Sequence, residues 1–207
     1  MTKPIYVDFD DVLCESARTL ATIAGSRYGK NVEFEEIYSF DLHDSFGLNS
    51  LEQEDLFTLF HDEDMLFSIP PIPQAIEGMQ TWAAEGCRIE IVTGRPPVTQ
   101  DVSCAWLAEY DVPYDDILFV DKYQRGHGDV AGVRQCGRED LQQAEYALAV
   151  DDSPDMIQFL ASATSWPLAL FDRPWNRALQ VDALRDEVGR FLDWNKLLQK
   201  HPAPGVR

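Results

Sequence analysis

Ile5-Tyr6-Val7-Asp8-Phe9-Asp10-Asp11-Val12 decides the reading of this chain. An apolar run stops at two carboxylates two positions apart, Asp8 and Asp10. In a β-strand, residues i and i+2 point to the same side. Both acids are therefore expected to face one site at the C-terminal edge of the strand, where open α/β sheets bind ligands. At an effective dielectric near 20, two unit charges ~4 Å apart repel by roughly 4 kcal/mol. A bound metal cation is the simplest way to offset that repulsion. An isolated Asp-x-Asp is equally well explained as a solvated turn, so the companions of the motif decide.

Working outward, five short apolar runs read as buried strands: Ile5–Phe9, Ile89–Val92, Ile117–Val120, Tyr146–Val150 and Leu168–Phe171. Their hydrophobicity is continuous rather than alternating, as in a parallel sheet covered on both faces. Helical patterns separate them, over Ala75–Gly86, over Val98–Tyr110, and from a Ser153 cap with Pro154 at the first position through Phe159. Leu184, Val188, Phe191 and Leu198 form an amphipathic stripe that reads as core packing. Strand–helix alternation of this kind predicts a doubly wound, parallel, Rossmann-like α/β fold. Residues 14–74 are too long for one crossover helix. With helical patterns at Cys14–Tyr28 and Leu51–Phe60 and many aromatics, they read as a small helical cap inserted after the first strand. Pro70-Pro71-Ile72-Pro73 reads as a stiff hinge returning to the core. The expected organisation is a core of residues 1–13 plus 75–200, a cap of 14–74 and a tail of 201–207.

Composition narrows the function classes. Apolar residues make up 45% of 207 positions, enough for a substantial core. The formal charge of −19 argues against a nucleic-acid polymer or an anionic membrane as partner. It leaves room for a small anionic substrate, because a local cation cluster and a divalent metal invert the field at a site. Cys14, Cys87, Cys104 and Cys136 form no Cys-x-x-Cys pair, which argues against zinc and a disulfide scaffold and for reduced thiols in a cytoplasm. Met-Thr-Lys-Pro leads straight into the first strand, so no signal peptide is expected, and no apolar run approaches the ~20 residues of a transmembrane helix.

Four strands end in distinctive polar residues: Asp8 and Asp10; Thr93-Gly94-Arg95-Pro96; Asp121-Lys122; and Asp151-Asp152-Ser153. Singly, these are ordinary turns, a solvated lysine and an acidic helix start. Together and in this order they resemble the four motifs of the haloacid dehalogenase superfamily of phosphohydrolases. The resemblance covers residues 4–13 and about 75–172, and the cap is similar to the helical class inserted after the first motif. Asp11 departs from it, standing where the family most often has Gly. Pro70–Ala75, Asp121-Lys122, Val150–Asp152 and Phe171-Asp172-Arg173-Pro174-Trp175-Asn176 look closest to the 5′(3′)-deoxyribonucleotidase-type branch.

The resemblance implies a phosphomonoester hydrolase of a small phosphorylated metabolite. It implies Mg²⁺ held by the Asp8 carboxylate, the Asp10 backbone carbonyl and the Asp152 carboxylate, with Asp151 orienting a metal-bound water. Asp8 would attack phosphorus, and Asp10 would protonate the leaving oxygen and then activate water. Thr93 and the Gly94 amide would bind phosphoryl oxygens and Lys122 would neutralise charge, while Arg95, one residue past the second motif, would reach the phosphate or the leaving group, or stay a surface arginine. The cap aromatics read first as the cap's own core; if any stack on a substrate base, Phe40 and Phe46, the least helical of them, are the best candidates, and His127 reads as a loop residue. The leading substrate is a (deoxy)nucleoside monophosphate, and a phosphosugar or phosphoglycolate-like acid is second. Receiver-type phosphoacceptor domains use similar residues in a different order, and complete motifs argue against a silent binding protein.

Overall fold

The computed structural model describes residues 2–124, 126 and 128–206, apart from the side chains of Leu42 and His43. The expectation for His127 lies outside the described residues. Seven parallel strands form one sheet in the order β4-β3-β2-β1-β5-β6-β7. They are β1 Ile5–Val7, β2 Ile89–Thr93, β3 Asp116–Asp121, β4 Gln135–Gly137, β5 Leu148–Asp151, β6 Leu168–Phe171 and β7 Val188–Phe191. Strand β1 is central, with β2 on one side and β5 on the other. The chain winds outward from β1 through β4 and then returns across β1, so the switch in winding falls at the C-terminal ends of β1 and β5. Asp8 and Asp151 stand there, at the place where such sheets bind ligands.

Both faces of the sheet are covered. Ile5 and Val7 point into one apolar layer with Ile91, Phe119, Trp106 and Trp194. Tyr6 points into the other with Val92, Val120, Ala149 and Ile157. Alternate residues of a strand thus both meet a core, which is why the run is apolar without alternation. The helices on these faces include α5 Ala75–Ala84, α6 Gln100–Glu109, α7 Pro154–Ala163 and α8 Trp194–Lys200. Ser153 caps α7, accepting from the Met156 amide at 3.3 Å, and Pro154 opens it.

The apolar stripe near the C-terminus packs into the two core layers, but on two kinds of element. Val188 and Phe191 lie on edge strand β7, and only Leu198 belongs to a helix, α8. Apolar residues three or four apart fit a helix, but here the sheet edge beside β6 claims the segment through four parallel pairings. Strand β4, three residues long, carried no sequence signal. Among the described residues the tail folds back, and the His201 carbonyl accepts from the Trp82 indole at 2.8 Å.

Between β1 and α5 come α1 Ser16–Tyr28, α2 Leu42–Phe46, α3 Ser50–Phe60 and α4 Glu63–Ser68. Ala17, Leu20, Ala24, Ile37, Phe46 and Leu56 build a separate apolar cluster there. Leu66, Ile69 and Ile72 instead join the main core. The chain leaves and returns side by side: Glu15 N donates to Pro70 O at 2.9 Å and Ile72 N to Leu13 O at 2.8 Å. This short paired crossing ties the helical segment to the sheet next to Asp10.

Candidate active site

Asp8 and Asp10 follow β1 as the pattern requires. The Asp8 amide bonds to Val150 O at 2.9 Å, fixing the end of β1 against β5. Its Oδ1 accepts from the Phe9 amide at 2.7 Å, and its Oδ2 meets Lys122 Nζ at 2.8 Å. Lys122, just past β3, is 1% exposed and also donates to Asp151 Oδ2 at 2.8 Å. Asp151 further accepts from Tyr6 Oη at 2.5 Å and from the Ser153 amide at 2.8 Å. Carboxylate oxygens of Asp8, Asp151 and Asp152, all buried, lie within 4.8 Å of one another. Burial, with repulsion from Asp151 and Asp152, pushes the Asp8 carboxyl well up against the pull of Lys122. Asp152 is likewise pushed well up by burial and then by Asp11 and Asp151. Burial works against the charge of Lys122, and Asp151 and Asp8 more than offset it.

Three converging carboxylates with one lysine between two of them are an oxygen-rich, net-negative donor set. That suits a hard divalent cation such as Mg²⁺. A cation there would relieve the repulsion that raises Asp8 and Asp152.

Asp10 has a different environment. Arg95 Nε donates to its Oδ2 at 2.9 Å and Nη2 to its Oδ1 at 2.7 Å, and Ser16 Oγ also donates to Oδ1. Burial alone would raise the Asp10 carboxyl, but the Arg95 charge and these hydrogen bonds hold it below its usual range. Arg95 is 2% exposed, so the alternative of a surface arginine is overturned. Its guanidinium lies 3.9 Å from the centre of the Phe9 ring and donates to Ser103 Oγ at 3.3 Å. The Thr93 hydroxyl accepts from the Arg95 amide at 3.1 Å, shaping the turn after β2. A Cβ on Gly94 would lie 3.0 Å from the Tyr123 ring and 3.3 Å from Lys122 Cδ, so a larger residue would press on both side chains.

Asp11 has φ 57°, the left-handed conformation that glycine adopts freely and Asp tolerates best among the others. Its carboxylate accepts from the Ala17 amide at 3.1 Å, doing at the start of α1 what no N-cap side chain does. Burial lifts its pKa to about 7 against the pull of Arg173. A side chain in place of the usual glycine thus has a local structural use.

Above these residues the helical segment and sheet enclose a cavity of about 210 Å³. Asp8, Asp10, Gly94, Arg95 and Asp152 form its floor, and Leu20, Leu48, Leu56, Phe57 and Phe60 line the far side. Thr93, Lys122 and Asp151 stand behind the floor and act on it through Arg95 and Asp8. Phe40 lines the cavity, and its ring centre lies 5.3 Å from that of Tyr123. Phe46 does not; it is buried within the apolar cluster of the helical segment, because its helix turns it inward. Sequence reasoning passed over Phe57 and Phe60. The signal was present in the i, i+3, i+4, i+7 spacing of Gln53, Leu56, Phe57 and Phe60, which puts one face of α3 on the cavity. Trp175, from the turn after β6, was also unassigned, and it lines the cavity beside Asp152.

A family model described as "5' nucleotidase, deoxy (Pyrimidine), cytosolic type C protein" matches residues 2–133. The chain belongs to this nucleotidase family. It is an enzyme of the haloacid dehalogenase type, a phosphatase/nucleotidase, and the family implies small phosphorylated substrates. It is 24% identical over 196 residues to a "putative nucleotidase" of Oceanobacillus iheyensis, covering 93% of this chain and 95% of that one. A "putative nucleotidase" of Bacillus cereus is 24% identical over 156 residues, covering 74% and 78% of the two chains. The fold matches a haloacid dehalogenase family hydrolase from Deinococcus radiodurans, solved with phosphate and sodium. That match has a TM-score of 0.61 at 16% identity, over 99% of this chain and 97% of that one. It also resembles a D,D-heptose 1,7-bisphosphate phosphatase from B. bronchiseptica, complexed with magnesium and phosphate (TM-score 0.52, 13% identity, 96% and 97% covered). Among the described residues no helix is long and apolar enough to cross a membrane.

Proposed function

We propose that this nucleotidase is a Mg²⁺-dependent phosphomonoesterase that acts through an aspartyl-phosphate on Asp8 and prefers (deoxy)nucleoside monophosphates. The observation that carries the reading is the three-carboxylate cluster with Lys122, set at the floor of a cavity whose far wall is apolar and aromatic. Asp8, the Asp10 carbonyl and Asp152 would hold Mg²⁺, which when bound offsets the charge of the phosphoryl group and of the acids around it. Asp151, already committed to Lys122, Tyr6 and Ser153, fits an outer role.

In this reading Asp8 attacks phosphorus, forming the Asp8–phosphorus bond as the bond to the leaving oxygen breaks. Lys122 stabilises Asp8 and the transferring charge, the Gly94 amide binds a phosphoryl oxygen, and Thr93 holds the turn that presents it. Asp10 gives a proton to the leaving oxygen and then takes one from the water that hydrolyses the acyl phosphate. The Arg95 clamp suits the second duty directly, since it keeps Asp10 ionised. For the first duty, a phosphate that draws Arg95 off Asp10 would raise the carboxyl toward the range an acid needs. The cap excludes water from the acyl phosphate and presents Phe57, Phe60 and Phe40 to the leaving group.

Base stacking is worth ~1–3 kcal/mol, so a nucleobase should raise kcat/KM by roughly tenfold or more over the bare sugar phosphate. The test compares deoxynucleoside 5′-monophosphates with deoxyribose 5-phosphate under the same conditions. Equal or better hydrolysis of the sugar phosphate would favour the small-metabolite reading.

A further inference from the structure

The segment Phe171–Asn176 is prominent in the sequence, yet the chemistry above uses none of it. In the fold it forms the turn after β6, with Pro174–Asn176 in a single helical turn. Trp175 Nε1 donates to Asp152 Oδ2 at 2.9 Å, across 23 residues of chain. Asn176 Nδ2 donates to the Asp152 carbonyl at 2.8 Å and to the Phe171 carbonyl at 2.8 Å. Both the backbone and the side chain of Asp152 are thus held from this turn.

The donors on the three neighbouring acids differ in kind. Asp8 and Asp151 share the ammonium of Lys122, and Asp10 carries the guanidinium of Arg95. The donor on Asp152 is a neutral indole N–H, which has a single hydrogen and no acceptor. Such a donor fixes the carboxylate's rotation without cancelling its charge. It occupies Oδ2 and leaves Oδ1 for a ligand, which is what an outer partner of a metal-binding carboxylate does. The other end of the same ring is in the cap. Trp175 belongs to the cap's apolar cluster, with Phe34 edge-on at 5.8 Å, and Arg177 reaches Glu35 at 2.7 Å beside it.

We infer that Trp175 is a positioning residue for the cation: it orients Asp152 toward the metal while leaving its charge intact, and anchors that orientation on the cap. This rests on the Mg²⁺ reading above. It predicts that Trp175→Phe, which keeps an aromatic ring against Phe34 but lacks the N–H, binds Mg²⁺ about 10–100-fold more weakly. The measurement is a calorimetric Mg²⁺ titration of the wild type and the variant, each first checked for a cooperative melt in EDTA. Equal affinities in the two folded proteins would overturn the inference and leave the metal reading standing. Absence of Mg²⁺ binding by the wild type would overturn both. A second measurement needs no variant. In ¹H–¹⁵N spectra of the wild type, one indole N–H resonance should shift on adding Mg²⁺ and broaden away with Mn²⁺. Backbone amides that respond while every indole resonance stays unchanged would refute the proposed contact.

Discussion

Replacing Asp8 by Asn exchanges a carboxylate for a neutral amide of nearly the same shape, so the perturbation is almost purely electrostatic. The Asp8 oxygens lie within 4.8 Å of those of Asp151 and Asp152 and 2.8 Å from Lys122 Nζ. At an effective dielectric near 20, each repulsion is worth about 3–4 kcal/mol and the attraction about 6 kcal/mol. These nearly cancel, and the desolvation of a buried charge remains. Asp8→Asn should therefore stabilise the metal-free protein by about 1–3 kcal/mol, or roughly 3–10 °C in Tm for a chain of this size. The pH dependence has a definite sign. A carboxyl with a raised folded pKa contributes stability that is fully present below its unfolded value. That stability is lost as pH rises through the folded value. The wild type in EDTA should thus lose stability as pH rises above ~4, and the gap to Asp8→Asn should widen over that range. The assay is thermal melting in EDTA at a series of pH values, with turnover measured separately in Mg²⁺. Turnover should vanish because the nucleophile is gone. A variant that melts below the wild type near neutral pH would refute the electrostatic argument. Substantial Mg²⁺-dependent turnover in the folded variant would refute the role of Asp8.

Asp152→Asn should weaken Mg²⁺ binding far more than Asp151→Asn, which should instead lower kcat through Lys122; calorimetry and steady-state rates separate the two, and equal Mg²⁺ affinities would contradict the assignment. Arg95→Met leaves Asp10 partly buried with the Ser16 hydroxyl and the Cys14 thiol as its remaining donors. It should cost about 2–3 kcal/mol, near the low end for a broken buried pair because Asp10 keeps some solvent contact, seen as a fall of roughly 5–10 °C in Tm. The same variant should move the acid limb of the kcat/KM–pH profile upward, since burial then acts on Asp10 without the guanidinium; an unmoved limb would count against Asp10 as the base. Phe57→Ala should raise KM for nucleotides roughly tenfold while sparing the bare sugar phosphate, and a parallel loss on both substrates would point to cap closure rather than stacking.

The main strands and the four polar strand ends were legible because their signals are short-range. Apolar runs broken by Asp8, Thr93, Asp121 and Asp151 mark where buried strands stop, and parallel strands expose those ends on one edge. Edge strands were less legible. Gln135–Gly137 is too short to show a pattern, and Val188–Phe191 shares the spacing of a helix until β6 supplies its partner. The cap aromatics show the same limit: periodicity says that Phe57 and Phe60 share a face of α3, but not that this face meets the cavity while Phe46 turns inward.

By itself the sequence determined the doubly wound class and the chain order of the acids, threonine and lysine. Each follows from residue type and spacing along a few consecutive positions. Only the tertiary structure decided which charge faces which. Arg95 clamps Asp10 across 85 residues, Lys122 joins Asp8 to Asp151, and Trp175 holds Asp152 from a turn that also anchors the cap. These pairings are set by how the sheet gathers distant strand ends, so that their side-chain atoms meet within 3 Å. The strength of an electrostatic contact depends on that distance and on burial, neither of which is written in local spacing.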